Sequence, residues 1–411
     1  MNVGLVSTWL HRGASYVTIN YAKLLQPEHK VFVFGRGGEY FDDQLEIPEV
    51  NIHKGRRLDS EDGILGEELV QWIQKNEIEI VIWNEQRDLS ALIYSKDKCP
   101  AVLHGAYIDY YKEDTVKWFG VYDFLICNTL RHYSVFKWHP QCFYLPWGCD
   151  TNLYMPMEKD EKDQKFKVVF FHSMGMANRK GTDILIRTFV NRNIAEYGAK
   201  LVIHTQTNID SIITAEEAEK NNIEIVEQTV PAPGLYYRGD VYVYPAKLDG
   251  LGLTLYEAIA CGLPVIATNV APMNEVIHKD NGYLVDVEKY YCRSDGYYWP
   301  LAEVSEEGLY KGLMYFIENY KNLRMISESV RKEAEEKWEL KNRKDQFNEY
   351  ICKVHKVDAG DICQRYMSEY KKMVARKRRV AFTTLFIPKR LFALMKEKQV
   401  EKKFGLNGRK N

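Results

Sequence analysis

The sequence predicts an α/β fold of two doubly wound domains facing across a cleft, followed by a helical, basic C-terminal tail. Three observations carry this. Short runs rich in β-branched and aromatic residues alternate with helical patterns along most of the chain, the alternation that builds parallel sheets with helices on both faces. Several runs are apolar at every position, as strands covered on both sides are. A charged, proline-containing segment, MPMEKDEKDQK (155–165), divides two such series of similar size.

In the first series NVGLVST (2–8), VFVFG (31–35), IEIVIWN (78–84), AVLHG (101–105), DFLICNT (123–129) and FYLPWG (143–148) read as strands, with helical patterns near 15–26, 64–75 and 130–138. In the second, KVVFFHS (167–173), AKLVIHT (199–205), IEIVEQ (223–228), VYVYPA (241–246), PVIATN (264–269) and GYLVDV (282–287) read as strands, and 303–355 reads as helical. The expected organisation is a first domain over 1–155, a second over 156–340, a helix within 341–370 that crosses back to the first domain, and a tail over 371–411. Open α/β sheets bind ligands at the carboxyl ends of their strands, so two such domains face a ligand in the cleft between them.

The 411 residues are enough for two or three domains, and 45% apolar and 27% charged residues are ordinary globular values. These numbers exclude a disordered, collagenous or mini-protein reading. The 56 Lys and Arg nearly balance the 57 Asp and Glu, but the balance hides an asymmetry. Residues 371–411 hold fourteen Lys and Arg against two Glu, so a tail of charge +12 follows a body of charge −13. The eight cysteines form no C-x-x-C pair, which suits free thiols in a reducing compartment. Met1 runs directly into a strand-like segment, without the basic and apolar regions of a signal peptide. With no apolar run of about 18 residues, a cytoplasmic location is expected.

The segment LDGLGLTLYEAIACGLPVIAT (248–268) carries the most chemistry. A strand ends near Pro245, a glycine-punctuated loop follows, and then a helix on which Leu255, Ala258, Ile259 and Gly262 share a face suited to a sheet. Thr254 and Glu257 lie on another face. A helix N-terminus presents unpaired N–H groups and the positive end of the dipole, a place for phosphate, and Gly250 and Gly252 let a ligand approach the backbone. A carboxylate beside that phosphate can accept hydrogen bonds from the two hydroxyls of a ribose. Thr254-x-x-Glu257 reads equally as a capping box.

The same segment resembles the E-x7-E signature of retaining glycosyltransferases of the B-type (GT-B) fold, the family-4-like, group 1 class, with Asp249 as the first acid and Glu257 as the second. YLPWGCDTNLYMP (144–156), DVYVYPA before the motif, CGLPVIAT and Asn281-Gly282 extend the resemblance, which covers roughly residues 1–350. It implies two Rossmann-like domains, an acceptor domain first and a nucleotide-sugar donor domain second. It further implies that Glu257 holds the donor ribose, that Asp249 contacts the transferred sugar, and that Gly250, Leu251, Gly252, Leu253 and Thr254 bind the sugar and diphosphate through their amides. Asp249 departs from the usual Glu by one methylene, which bears on donor-sugar identity.

MANRKGTDILI (176–186) resembles the family's basic loop, so Arg179 and Lys180 are implied to neutralise the leaving diphosphate; otherwise they are two solvated loop charges. Gly13, in STWLHRGASYV (7–17), resembles a glycine of the loop that approaches the donor phosphates. His104, at the end of an expected strand, resembles the family's active-site histidine, or is a strand-end histidine bonded to backbone. Asn84 and Glu85 end another strand facing the cleft and are candidate acceptor contacts.

The function implied is transfer of a sugar from a nucleoside-diphosphate sugar to a glycan or lipid-linked acceptor with retention of configuration. No cofactor is implied, and no metal, since the chain holds no Asp-x-Asp triplet. A nucleotide-sugar epimerase of the same architecture and a catalytically silent binding protein are the alternatives. Residues 371–403 interleave Lys and Arg with Val, Phe, Leu, Ile and Met. That pattern suits a peripheral contact with anionic lipid as well as it suits a solvated tail or a packed helix; nucleic acid is not expected as a partner.

Overall fold

The computed structural model describes residues 1–386 apart from residues 11, 12, 27, 39, 59–61, 159–162, 176 and 177. Its first sheet contains β1 (Asn2–Ser7), β2 (Lys30–Gly35), β3 (Asn51–Lys54), β4 (Ile80–Asn84), β5 (Leu103–Tyr107), β6 (Phe124–Cys127) and β7 (Cys142–Tyr144), in the order β3-β2-β1-β4-β5-β6-β7. The second contains β8 (Val168–Gly175), β9 (Ala199–Thr205), β10 (Ile223–Glu227), β11 (Val241–Tyr244), β12 (Val265–Thr268) and β13 (Gly282–Val285), in the order β10-β9-β8-β11-β12-β13. Every pairing in both is parallel. Each strand order reverses direction once, between β1 and β4 and between β8 and β11, and it is at such switch points that doubly wound sheets open a crevice.

Helices α1 (Gly13–Leu25), α2 (Gly66–Lys75), α3 (Ser90–Lys98) and α4 (Leu130–Phe136) belong to the first domain; α5 (Thr182–Asn191), α6 (Ala215–Lys220), α7 (Leu253–Ala260), α8 (Met273–Val276), α9 (Glu306–Glu318) and α10 (Leu323–Lys337) follow in the second. An antiparallel hairpin, β14 (Val287–Tyr291) and β15 (Leu301–Val304), extends from the second domain. One apolar core joins both sheets, from Val3, Ile82 and Trp147 through Cys149 to Tyr242, Leu255 and Ile259. The chain then returns. In α11 (Lys344–Lys353), Phe347 packs on Tyr21 of α1 with ring centroids 4.9 Å apart, and Lys344 pairs with Glu28 at 2.8 Å.

Residues 358–411 form a separate unit, described as one helix, α12 (Gly360–Phe386). The division expected between 370 and 371 is therefore absent, and the helix runs unbroken through the first basic cluster. The rest of the 371–403 segment lies outside the described residues. No helix among the described residues is long and apolar enough to cross a membrane.

The strands expected from the sequence are all present within a few residues. Those it does not indicate are at the margins: β3 is an edge strand with only half-buried Ile52 and His53 at its centre, and β14 is largely exposed.

Candidate functional site

The carboxyl ends of the strands at both switch points open onto the same interlobe cleft. It holds two cavities, of about 430 and 320 Å3, and Leu253, the first residue of α7, lines both. The position of α7 is what makes this region a site. Leu255, Ala258 and Ile259 are buried, and each large apolar side chain so buried stabilises the docked helix by about 1.5–3 kcal/mol. The N-terminus of α7 is thereby anchored at the cleft. Gly252 precedes it with φ 78°, a left-handed conformation natural to glycine.

Glu257 lies in the second cavity, facing Tyr16, Asn20 and Lys23 of α1 and the 230–235 loop of its own domain. Its Oε2 accepts a hydrogen bond from the Tyr236 hydroxyl at 2.6 Å, and Tyr154 bonds to the same carboxyl. Burial raises its pKa, and the two tyrosines work against that rise. The capping box is not formed. Gly252 is the N-cap, so Thr254 is the second residue of the helix and Glu257 the fifth, aimed at the tyrosines rather than back at the cap. Thr254 lines the same cavity.

Asp249 sits in the loop ahead of α7 and is nearly enclosed. Its Oδ1 accepts from the backbone N–H groups of Gly252 at 2.9 Å and Leu251 at 3.3 Å, and its Oδ2 from Lys180 Nζ and the Tyr244 hydroxyl. Burial alone would raise its pKa, but Lys180 and Arg179 outweigh it and hold the carboxylate well below its usual range. Arg179 lines the first cavity, its own pKa raised chiefly by Asp249. Of the pair expected as a basic loop, Lys180 is thus partly buried against an acid while Arg179 stays exposed at the cavity; residues 176 and 177 of that loop lie outside the described residues. Gly13, Gly250 and Leu251 also line the first cavity; Arg12, next to Gly13 in its loop, lies outside the described residues.

Two residues of the first domain stand differently from what the sequence implies. His104 is fully buried within β5, its Nδ1 accepting from Trp83 Nε1 at 3.2 Å and its backbone N–H donating to Asp123 at 2.8 Å. Burial, with Lys96 and Lys356 nearby, holds its pKa well below the usual histidine value. It lines neither cavity, because β5 continues to Tyr107 and the group that emerges at the strand end is Asp109. Asn84 is likewise behind the cleft wall: its Nδ2 donates to Ala14 O at 2.7 Å and Thr18 Oγ1 at 2.9 Å, fastening α1 to β4. Glu85 does line the first cavity, at φ 51°.

The N-terminal domain also reaches the glycine loop through residues the sequence did not single out. Arg131 and His132 open α4, whose N-cap Thr129 accepts from His132 N at 3.1 Å. The Arg131 guanidinium donates to the carbonyls of Asp249, Gly250 (3.3 Å) and Ala271 (2.6 Å), and His132 Nε2 donates to Gly250 O at 3.2 Å. Glu275 of the second domain in turn accepts the backbone N–H groups of Leu130 and Arg131 at 2.6 and 2.8 Å, a carboxylate at a helix N-terminus. From the hairpin, Tyr297 donates to Asp109 O at 3.2 Å and Trp299 to the Tyr111 hydroxyl at 2.6 Å. The one available signal for these residues was position, just beyond a strand's carboxyl end. Among the described residues, no group of three or more His, Cys, Asp or Glu side chains is arranged to hold a metal ion.

Residues 165–291 match the family model of the glycosyl transferases group 1. A GDP-mannose-dependent monoacylated alpha-(1-6)-phosphatidylinositol monomannoside mannosyltransferase of Corynebacterium glutamicum is 28% identical over 189 residues, 39% of this chain and 48% of that protein. An uncharacterized glycosyltransferase of Haemophilus influenzae is 27% identical over 113 residues, 26% of this chain and 32% of that protein. The chain thus spans about half the length, or less, of these curated relatives.

Solved structures match over nearly their whole length. HepE of Anabaena in complex with UDP and glucose superposes with a TM-score of 0.64 at 15% identity, over 86% of this chain and 99% of that one. The sucrose-phosphate synthase of Thermosynechococcus elongatus does so with 0.64 at 14%, over 85% and 98%. At these identities the likeness is one of fold, the GT-B fold.

Proposed function

We propose that this protein is a group 1 glycosyltransferase, the family whose model residues 165–291 match, and that it transfers a hexose from a nucleoside-diphosphate sugar to a hydroxyl of a glycan or lipid-linked acceptor, with retention of configuration and without a metal. The observation that carries the reading is Glu257, a carboxylate in the interlobe cavity one turn inside an anchored helix N-terminus, with Lys180 close by.

The nucleoside occupies the second cavity, where Glu257 accepts hydrogen bonds from the ribose hydroxyls. The diphosphate meets the first-turn amides of α7, which have no intrahelical acceptor, and the Arg179 and Lys180 cations. The sugar extends into the first cavity toward Gly13 and Glu85. As the bond from the anomeric carbon to the phosphate oxygen breaks, its electron pair leaves with the phosphate, and the two cations stabilise the charge that develops there. The acceptor oxygen bonds to the same face of that carbon, and its proton passes to the departing phosphate. The chain contributes positioning and electrostatics.

The nucleotide-sugar class is supported by a GDP-mannose-dependent relative and by a fold neighbour holding UDP and glucose. We further place the protein in the cytoplasm, with its tail against an anionic membrane face. Screening UDP-, GDP- and ADP-sugars for protection against unfolding identifies the donor. Turnover of that donor, followed by NMR of the product anomer with and without EDTA, is expected to show retention and an unchanged rate. An inverted product, an epimerised free donor or EDTA-abolished turnover would contradict the reading.

A further inference from the structure

The carboxylate implied for the transferred sugar is already committed elsewhere. A carboxylate offers about four acceptor positions, and Asp249 fills them from its own domain: two backbone N–H groups on Oδ1, the Lys180 ammonium and the Tyr244 hydroxyl on Oδ2. These bonds shape the loop that leads into α7, and only 8% of the residue is exposed. Asp249 would have to surrender loop-forming bonds to take up a sugar hydroxyl.

Two other carboxyls face the same loop from across the cleft. Asp109, two residues beyond β5, and Glu85, directly after β4, line the first cavity opposite Gly250 and are hydrogen-bonded to each other. The approach to the loop is close: a Cβ placed on Gly250 would stand 1.9 Å from Asp109 Oδ1. Tyr297, reaching across from the hairpin, fixes the Asp109 carbonyl. Burial and the neighbouring Glu85 raise the Asp109 pKa well above its usual value, and the two side chains gather carboxyl oxygens at one wall of the cavity, where adjacent sugar hydroxyls can donate to them.

We propose that Asp109, with Glu85 as its partner, is the specificity-determining contact for the hydroxyls of the transferred sugar, the role the family resemblance would give to Asp249. The acidic contact is thereby moved from the donor domain to the acceptor domain, so the sugar is gripped only when the two domains are together. This rests on the glycosyltransferase reading above.

The test compares wild type with Asp109→Asn and Glu85→Gln in calorimetric titrations of the nucleotide sugar selected by the donor screen and of its parent nucleoside diphosphate. Wild type is expected to bind the nucleotide sugar at least tenfold more tightly than the diphosphate. Asp109→Asn is expected to erase that increment while binding the diphosphate within twofold of wild type, and Glu85→Gln to reduce the increment in the same direction. An increment retained in both variants overturns the proposal, as does loss of diphosphate binding along with it. A wild type that binds neither ligand overturns the glycosyltransferase reading itself, so the two failures are told apart.

Discussion

At the scale of single residues, the site is a set of close fits across the cleft. Gly250 is the tightest, since any side chain there meets the Asp109 carboxyl. Gly250→Ala is expected to lower kcat/KM at least tenfold and to destabilise the protein by about 1–3 kcal/mol, the usual cost of overpacking. Adding Asp109→Ala should return most of the lost stability, because the two positions are in contact and their effects are not additive. Chemical denaturation of the single and double variants measures this, and additive losses would contradict the fit. The residues legible in the sequence were those whose role depends on local spacing. Glu257 follows from its place on α7. His104 misled because the run AVLHG reads as the end of a strand that in fact continues to Tyr107, and Asp109 and Arg131 escaped because their partners are 141 and 119 positions away along the chain.

At the scale of elements, the basic loop is held by the histidine of β8. His172 Nδ1 donates to Val243 O at 2.7 Å on β11, and its Nε2 accepts from the Thr182 hydroxyl at 2.8 Å at the start of α5, directly after Arg179 and Lys180. Burial, with Lys180 nearby, pulls its pKa down to about 4. The sign follows: the folded protein keeps this ring neutral, the unfolded chain takes up a proton below its ordinary value near 6.5, and stability present above that pH is lost as pH falls toward 4. The loss amounts to about 3 kcal/mol by pH 4. Denaturation of wild type and His172→Gln at pH 7, 5.5 and 4.5 should show a shallower decline in the variant, and equal declines would refute the assignment. The strands themselves were legible because both faces are covered, which leaves an apolar run. The edge strand β3 and the hairpin lack that signature, since neither is covered on both sides.

At the scale of the whole molecule, one core joins the two sheets, and among the described residues Arg131 on the glycine loop, Glu275 on the start of α4 and the hairpin on residues 109–111 span the cleft. The segment after Val357 is a separate unit carrying the basic cluster, so its removal should leave the cleft intact. The protein ended at Val357 is expected to keep donor binding and to lose co-sedimentation with anionic vesicles, an interaction that salt should weaken in the full chain. Equal sedimentation of the two forms would remove the membrane contact from the account. The two parallel sheets were legible from the strand pattern. The spanning contacts were not, because each joins residues that only the folded topology brings together.

The central claim, that Glu257 holds the ribose of an activated sugar, is tested most directly by titrating wild type and Glu257→Gln with the selected nucleoside diphosphate and with its 2′,3′-dideoxy analogue. A hydrogen bond to a charged group contributes about 1.5–3 kcal/mol, so wild type should prefer the ribose form by at least about tenfold and the variant should nearly lose that preference. Equal preference in both proteins would contradict the account.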